Sequence, residues 1–127
     1  GEIAHMTSNK RTGSRVLVVE DQSIIAMEIE NILAKCGCVA VGPAGTLTSA
    51  LLLARVEALD AAILDVNLDG EQVFPVAEEL RARGIPFVFA TGYGRSSLPE
   101  KWQDAPRLDK PFKSGALEIF LETVFAD

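Results

Sequence analysis

A carboxylate at the end of an apolar run is the first feature of this sequence that can do chemistry. Residues 61–65 read Ala-Ala-Ile-Leu-Asp, so the apolar run stops at Asp65. Such a run is typical of a strand buried on both faces of a parallel sheet, and ligands gather at the carboxyl ends of such strands. Asp65 is therefore a candidate metal ligand or nucleophile. An aspartate that merely opens a turn into residues 66–70 would give the same pattern.

Three other predicted strands also end in polar side chains. These side chains are Glu20 and Asp21 after residues 15–19, Thr91 after residues 86–90, and Lys110 after residues 107–109. In a doubly wound sheet the first, third, fourth and fifth strands are neighbours, so we expect all these side chains to meet in one pocket.

Three carboxylates in one pocket repel each other unless a cation lies between them. Oxygen ligands of this kind suit Mg²⁺. Lys110 adds a second positive charge, and the Thr91 hydroxyl can hydrogen-bond an oxyanion. A carboxylate surrounded by these groups predicts a phosphoryl-transfer site, where positioning and charge neutralisation dominate. The alternative is that the acids are separate turn residues and Lys110 is a solvated charge.

The elements that position these residues alternate along the chain. Apolar residues at helical spacing predict helices from Ser23 to near Gly37, from a Thr46 cap, around Pro75, and over Ala116–Phe125. Between Arg95 and Ala105 the periodicity is weak, so the fourth helix should be short, displaced or mobile. Five strands and five helices predict an α/β fold, (βα)5, with a doubly wound five-stranded parallel sheet.

Composition and net charge argue against several classes of function. The 127 residues carry a net charge of −6, which argues against nucleic-acid binding through a basic face. No apolar run is long enough to span a membrane, so we expect a cytoplasmic protein with no membrane partner. Residues 1–14 read as an expression scar and disordered N-terminus, and residues 15–127 as one domain. Cys36 and Cys38 have no partners for a structural zinc site, and we interpret them as ordinary thiols.

Four motifs together resemble a known family. They are Val-Val-Glu20-Asp21, Ile-Leu-Asp65-Val-Asn67-Leu, Ala-Thr91-Gly and Asp-Lys110-Pro-Phe. The span from Val16 to Phe125 resembles the receiver domain of bacterial two-component response regulators, which has the flavodoxin-like fold. Residues 89–93, Phe-Ala-Thr-Gly-Tyr, also resemble the signature of the FATGUY subgroup of alphaproteobacterial receivers, which includes stand-alone regulators.

The resemblance implies a role for each site residue. Asp65 would accept a phosphoryl group from a sensor histidine kinase or a histidine phosphotransfer protein. Asp21 and Asp65 would bind Mg²⁺ directly, Asn67 through its backbone carbonyl, and Glu20 through water. Thr91 and Lys110 would contact the phosphoryl oxygens. Such a protein is a signalling domain that gains and loses its own phosphoryl group, rather than an enzyme acting on a separate substrate.

Two departures from the receiver pattern bear on signalling. Receivers usually carry an aromatic switch residue three positions before the lysine, where this chain has Arg107. Tyr93 is a candidate substitute for that aromatic, a shield for the acyl phosphate, or simply a loop residue. We expect a downstream protein partner at the face formed by the fourth helix, fifth strand and fifth helix. Trp102 either binds such a partner or pins its loop to the core.

Three other functions compete with this interpretation. An aspartyl-phosphate phosphatase or phosphotransferase would have a second Asp two residues after the nucleophile, where this chain has Asn67. A nucleotide or flavin binder would need a phosphate-binding loop where Glu20-Asp21-Gln22 is acidic. The third is a receiver that forms part of a larger regulator with an output domain.

Overall fold

The computed structural model describes residues 12–92, 98–113 and 115–125, and it contains a central parallel sheet. The strands of that sheet are β1 (Arg15–Val19), β2 (Val39–Ala44), β3 (Ala61–Asp65), β6 (Phe87–Thr91) and β7 (Arg107–Asp109). Their spatial order is β2-β1-β3-β6-β7, and every neighbouring pair is parallel. The predicted five-stranded doubly wound sheet is therefore confirmed.

In the described part of the chain, four α-helices cover the sheet. They are α1 (Ser23–Lys35), α2 (Leu47–Val56), α3 (Phe74–Ala82) and α4 (Ala116–Val124). The Thr46 hydroxyl caps α2 by accepting from the Ser49 N–H at 3.1 Å, as its position predicts. Pro75 lies in the first turn of α3, where its missing N–H costs no helical hydrogen bond.

The segment predicted to contain the fourth helix, Arg95–Ala105, is described only from residue 98 onward. In the described part of that segment the chain forms only a 3₁₀ turn, Glu100–Trp102. The segment lacks the regularly spaced apolar side chains whose packing would offset the free-energy cost of nucleating a helix. This short turn agrees with the prediction of a short element at this position, and residues 93–97 lie outside the described range.

Alternating side chains divide the core between the two faces of the sheet. Val16 and Val18 face one way with Ile63, and they pack against α1 and α4. Leu17 and Val19 face the other way, toward α2, α3 and the 3₁₀ turn. Because every residue of β3 is buried, its last residue, Asp65, is held at a fixed point on the sheet edge.

A small antiparallel hairpin follows β3, where the sequence suggested only a turn. Its strands are β4 (Asn67–Leu68) and β5 (Glu71–Gln72). Asp69 and Gly70 join them with φ of 49° and 92°, the left-handed pair of a type I′ hairpin turn. Asp-Gly between short strands is a hairpin signal that was available in the sequence.

Backbone hydrogen bonds join Gly13 and Ser14 to the connection between α1 and β2 and to the start of β2. The Gly13 N–H donates to the Gly37 carbonyl at 2.7 Å, and the Val39 N–H donates to the Ser14 carbonyl at 2.7 Å. Residues 1–11 lie outside the described range. None of the helices in the described ranges has the length and apolar character needed to cross a membrane.

Candidate functional site

The carboxyl ends of four neighbouring strands bring the predicted site residues together. Glu20 and Asp21 follow β1 and Asp65 ends β3, and carboxylate oxygens of the three acids lie within 4.8 Å of one another. Asp65 is 7% exposed and Glu20 only 2%, whereas Asp21 is open to solvent. The expected acidic cluster is thus present, with one carboxylate facing the solvent.

Lys110 lies between two of these acids. Its Nζ is 2.7 Å from Glu20 Oε1 and 3.1 Å from Asp65 Oδ1. The Lys110 N–H also donates to the Thr91 carbonyl at 2.9 Å, which extends the β6 to β7 ladder by one step. The lysine is therefore fixed by its backbone as well as by its side chain.

Both carboxylate oxygens of Glu20 are already engaged. Oε1 accepts from Lys110, and Oε2 accepts from the Gln22 N–H at 3.0 Å. A carboxylate held on both sides positions the lysine and the following loop, whereas the exposed Asp21 keeps its oxygens available to a ligand. Glu20 therefore positions its neighbours, whereas Asp21 is open to a ligand.

Thr91 and Asn67 complete the cleft. Thr91 is the last residue of β6 and is 2% exposed, and it lines a cavity of about 210 Å³ with Asp65. Asn67 lines the same cavity, and its Oδ1 accepts from the Gly70 N–H at 2.9 Å. The Asn67 side chain thereby closes the hairpin turn, an arrangement typical of asparagine.

The charges of the cluster fit a divalent cation. Three carboxylates and one ammonium leave a formal charge of −2, and the donors are the hard oxygens that Mg²⁺ prefers. Burial, followed by the charge of Glu20, raises the pKa of Asp65 from 3.8 to about 7, and Lys110 only partly offsets this. A further positive charge in the cleft would restore the ionised carboxylate.

The structure describes one of the two aromatic residues singled out in the sequence, Trp102. Trp102 is 3% exposed and packs against the rings of Phe74, Phe87 and Phe89 at centroid distances of 5.6–6.3 Å. Of its two interpretations, the structure therefore favours the one that pins the loop to the core. Tyr93 lies outside the described residues.

Arg107 stands where receivers carry an aromatic residue. Its Nε donates to Asp109 Oδ1 at 3.0 Å. Its Nη1 is buried and has no hydrogen-bond partner within the described ranges. The position is thus occupied by a partly buried cation, and the usual pairing of threonine with an aromatic side chain is not available through it.

Sequence and structure comparisons identify the class of protein that this fold and site define. The profile of the response regulator receiver domain matches residues 16–120. The chain belongs to the response regulator receiver family, and it is a phosphoacceptor domain of two-component signalling. No curated protein matches the sequence.

Solved structures agree with this assignment. SdrG from Sphingomonas melonis Fr1 is 41% identical, with a TM-score of 0.79 over 91% of this chain and 98% of SdrG. A BeF3-activated SdrG, from Pseudomonas melonis Fr1, is 42% identical, with a TM-score of 0.75 over 88% of this chain and 96% of that one. The receiver domain of sensor histidine kinase PA1611 from Pseudomonas aeruginosa PAO1, with magnesium in its active-site cleft, is 24% identical. Its TM-score is 0.77 over 91% and 99% of the two chains, and at that identity it supports the fold.

Proposed function

We propose that Asp65 is the phosphoacceptor, and that its donor is a phosphohistidine on a sensor histidine kinase or a histidine phosphotransfer protein in the cytoplasm. The observation that carries this proposal is the position of Lys110 Nζ, within hydrogen-bonding distance of both Glu20 and Asp65. The lysine supplies positive charge beside the one acid that ends a fully buried strand. That acid cannot move away when charge builds up next to it.

The reaction proposed for Asp65 transfers one phosphoryl group. A carboxylate oxygen of Asp65 forms a bond to phosphorus, while the phosphorus–nitrogen bond of the donor breaks and its electron pair leaves with the imidazole. The proton on the other ring nitrogen makes the leaving imidazole neutral. Such transfers depend mainly on positioning and charge neutralisation, which is what a buried carboxylate beside an ammonium provides.

Asp21 and Asp65 are the proposed direct ligands of Mg²⁺, with Asn67 contributing its backbone carbonyl and Glu20 acting through water. The engaged oxygens of Glu20 fit such an indirect role. When bound, Mg²⁺ would neutralise charge that develops on the phosphoryl oxygens. Thr91 and Lys110 are the proposed partners of the remaining oxygens.

The downstream contact is proposed at the face formed by the 3₁₀ turn, β7 and α4. A cavity of about 650 Å³ lies there, and its apolar lining comes mainly from β6, β7 and α4. Its charged lining residues are Arg81, Lys101, Arg107 and Asp104. This excess of positive charge contrasts with the net charge of −6 for the chain. This complementarity suits a protein segment that is apolar on one side and acidic along its flank.

A measurement of intact mass tests the phosphoacceptor. Wild type, Asp65→Asn and Asp69→Asn are incubated with Mg²⁺ and acetyl phosphate. Asp69 is a matched control because it lies in the same cleft, loses the same charge and has a left-handed backbone that asparagine tolerates. We expect one phosphoryl group on wild type and Asp69→Asn, and none on Asp65→Asn or with a chelator. A phosphoryl group on Asp65→Asn would refute the assignment.

The rival phosphatase function lacks support in the same cleft. It would use a second aspartate at position 67, and the residue there is an asparagine whose side chain closes a turn. Incubating the protein with a small phosphomonoester should therefore release no phosphate beyond the uncatalysed background.

A further inference from the structure

The hairpin after β3 places one more polar side chain beside Asp65. Strands β4 and β5 are so short that Gln72 pairs directly with Asn67. Gln72 therefore lines the same 210 Å³ cavity as Asp65 and Thr91. Seven positions separate Gln72 from Asp65 in the sequence, and the tight turn at Asp69-Gly70 is what brings them together.

The side-chain amide of Gln72 is not used by the hydrogen bonds of the described residues. Within residues 12–92, 98–113 and 115–125 its side chain makes no hydrogen bond, and the residue is exposed. The neighbouring Asn67 side chain, in contrast, is used by the hairpin turn. An amide carries both a donor and an acceptor, so Gln72 can hold a water molecule and a phosphoryl oxygen at once.

We propose that Gln72 is a positioning residue for the hydrolysis of phosphorylated Asp65, and that its amide holds the attacking water in the cleft. This rests on the proposed function of Asp65. Since water occupies about 30 Å³ per molecule in the liquid, a cavity of about 210 Å³ has room for a phosphoryl group and a water. The water lies against the wall that the hairpin forms.

The proposed step is a displacement at phosphorus. The water oxygen forms a bond to phosphorus, and the bond between phosphorus and the Asp65 oxygen breaks with its electron pair remaining on the carboxylate. Both water hydrogens leave with the product, dihydrogen phosphate. The dianionic acyl phosphate thus yields one carboxylate and one phosphate monoanion, so atoms and charge balance without any further reactant.

Decay of the phosphorylated protein tests this role. Wild type, Gln72→Ala, Gln72→Met and Glu71→Ala are phosphorylated with acetyl phosphate and Mg²⁺ and then desalted. Loss of the phosphoryl group is followed by intact mass in buffer with Mg²⁺. Glu71 is the matched control because it is the exposed neighbour on the same strand and does not line the 210 Å³ cavity. We expect roughly 3- to 10-fold slower decay in both Gln72 variants, since they lose the oriented water, and wild-type decay in Glu71→Ala.

The second readout separates positioning from a structural role. The melting temperature should stay at the wild-type value in all three variants, and Glu71→Ala should also keep the wild-type rate of phosphorylation by acetyl phosphate. Faster decay in Gln72→Ala with unchanged decay in Gln72→Met would show steric shielding and overturn the proposal. Unchanged decay in both Gln72 variants overturns it as well, while the Asp65 assignment survives. If wild type gains no phosphoryl group at all, the proposed function fails and this inference fails with it.

Discussion

Burial controls the chemistry of Asp65 in the metal-free cleft. It raises the pKa of the carboxyl to about 7, with the charge of Glu20 adding to the effect. Burial alone would lower the pKa of Lys110, but its hydrogen bond to Glu20 and the charge of Asp65 outweigh this and raise it. Lys110 therefore stays protonated at neutral pH, and the residue that titrates in the cleft is Asp65.

This titration predicts how stability depends on pH. The folded-state pKa of Asp65 lies above its unfolded value of 3.8, so the folded state binds the proton more tightly. Its contribution to stability is fully present below about pH 4 and is lost as the pH rises through about 7. In chelator, Asp65→Asn should therefore melt at a higher temperature than wild type near pH 8. Thermal unfolding followed by circular dichroism measures this difference.

The difference should shrink as the pH falls from about 7 toward 3.8, because the folded-state carboxyl becomes protonated over this range and its destabilising ionisation is lost. Asp69→Asn is again the control, because it removes an exposed charge from the same cleft. Saturating Mg²⁺ should also narrow the gap, since the cation stabilises only the ionised carboxylate of wild type. An Asp65→Asn protein that is less stable than wild type near pH 8 would contradict the raised pKa of Asp65.

At the scale of elements, the side chain of Trp102 holds the 3₁₀ turn against the sheet. Trp102 packs among three phenylalanine rings, and the Arg81 guanidinium carbon lies 4.3 Å from its ring centroid. The turn has little regular hydrogen bonding of its own, so this cluster anchors it. Packing of the buried Trp102 side chain thus holds this segment against the sheet.

Removing that anchor should be costly. Trp102→Ala is expected to lower the free energy of unfolding by about 3–5 kcal/mol, because it leaves a large cavity between α3 and the sheet. Urea unfolding measures the change. Leu52→Ala is the control, since Leu52 is 59% exposed on α2 and should change stability by no more than about 0.5 kcal/mol. A Trp102→Ala protein as stable as wild type would return Trp102 to the role of a partner-binding residue.

The sequence predicted best those elements that have a strong local pattern of their own. Continuous apolar runs located β1 and β3, and because parallel strands share a carboxyl edge, the clustering of Glu20, Asp21, Asp65 and Lys110 followed. The hairpin was missed because two-residue strands are too short to show a period of two. It brings Gln72 to the cleft, so the role proposed for that residue was also hidden. Weak periodicity predicted a short element between Arg95 and Ala105, but the rings against which Trp102 packs are visible only in the structure.

For the molecule as a whole, β7 connects the acidic cleft with the basic groove. Arg107 at its start lines the groove, and Lys110 directly after its end contacts Asp65. The strand has three residues, so a shift of Lys110 toward a phosphoryl group acts within about 10 Å of the groove, at roughly 3.3 Å per residue. Signal transfer over this distance needs one small element to move.

Hydrogen exchange tests this connection. Adding Mg²⁺ and beryllium fluoride, the activating ligand in the second SdrG structure, should change amide exchange in residues 98–109 by at least about 3-fold. Helix α2, which packs beside β1 and β2 and therefore far from β7, should not respond, and neither should any segment of Asp65→Asn. Slow exchange in residues 98–109 that beryllium fluoride leaves unchanged would refute the connection.

The opposite edge of the sheet, formed by β2, bears on aggregation. Strand β2 is an edge strand, and its sequence includes Gly42 and Pro43. Proline has no N–H to offer to a passing strand, and it interrupts the row of donors that a second chain would need in order to add itself to the sheet. Val39, 44% exposed at the start of the same edge, would otherwise favour such pairing. We therefore expect Pro43 to oppose aggregation through this open edge.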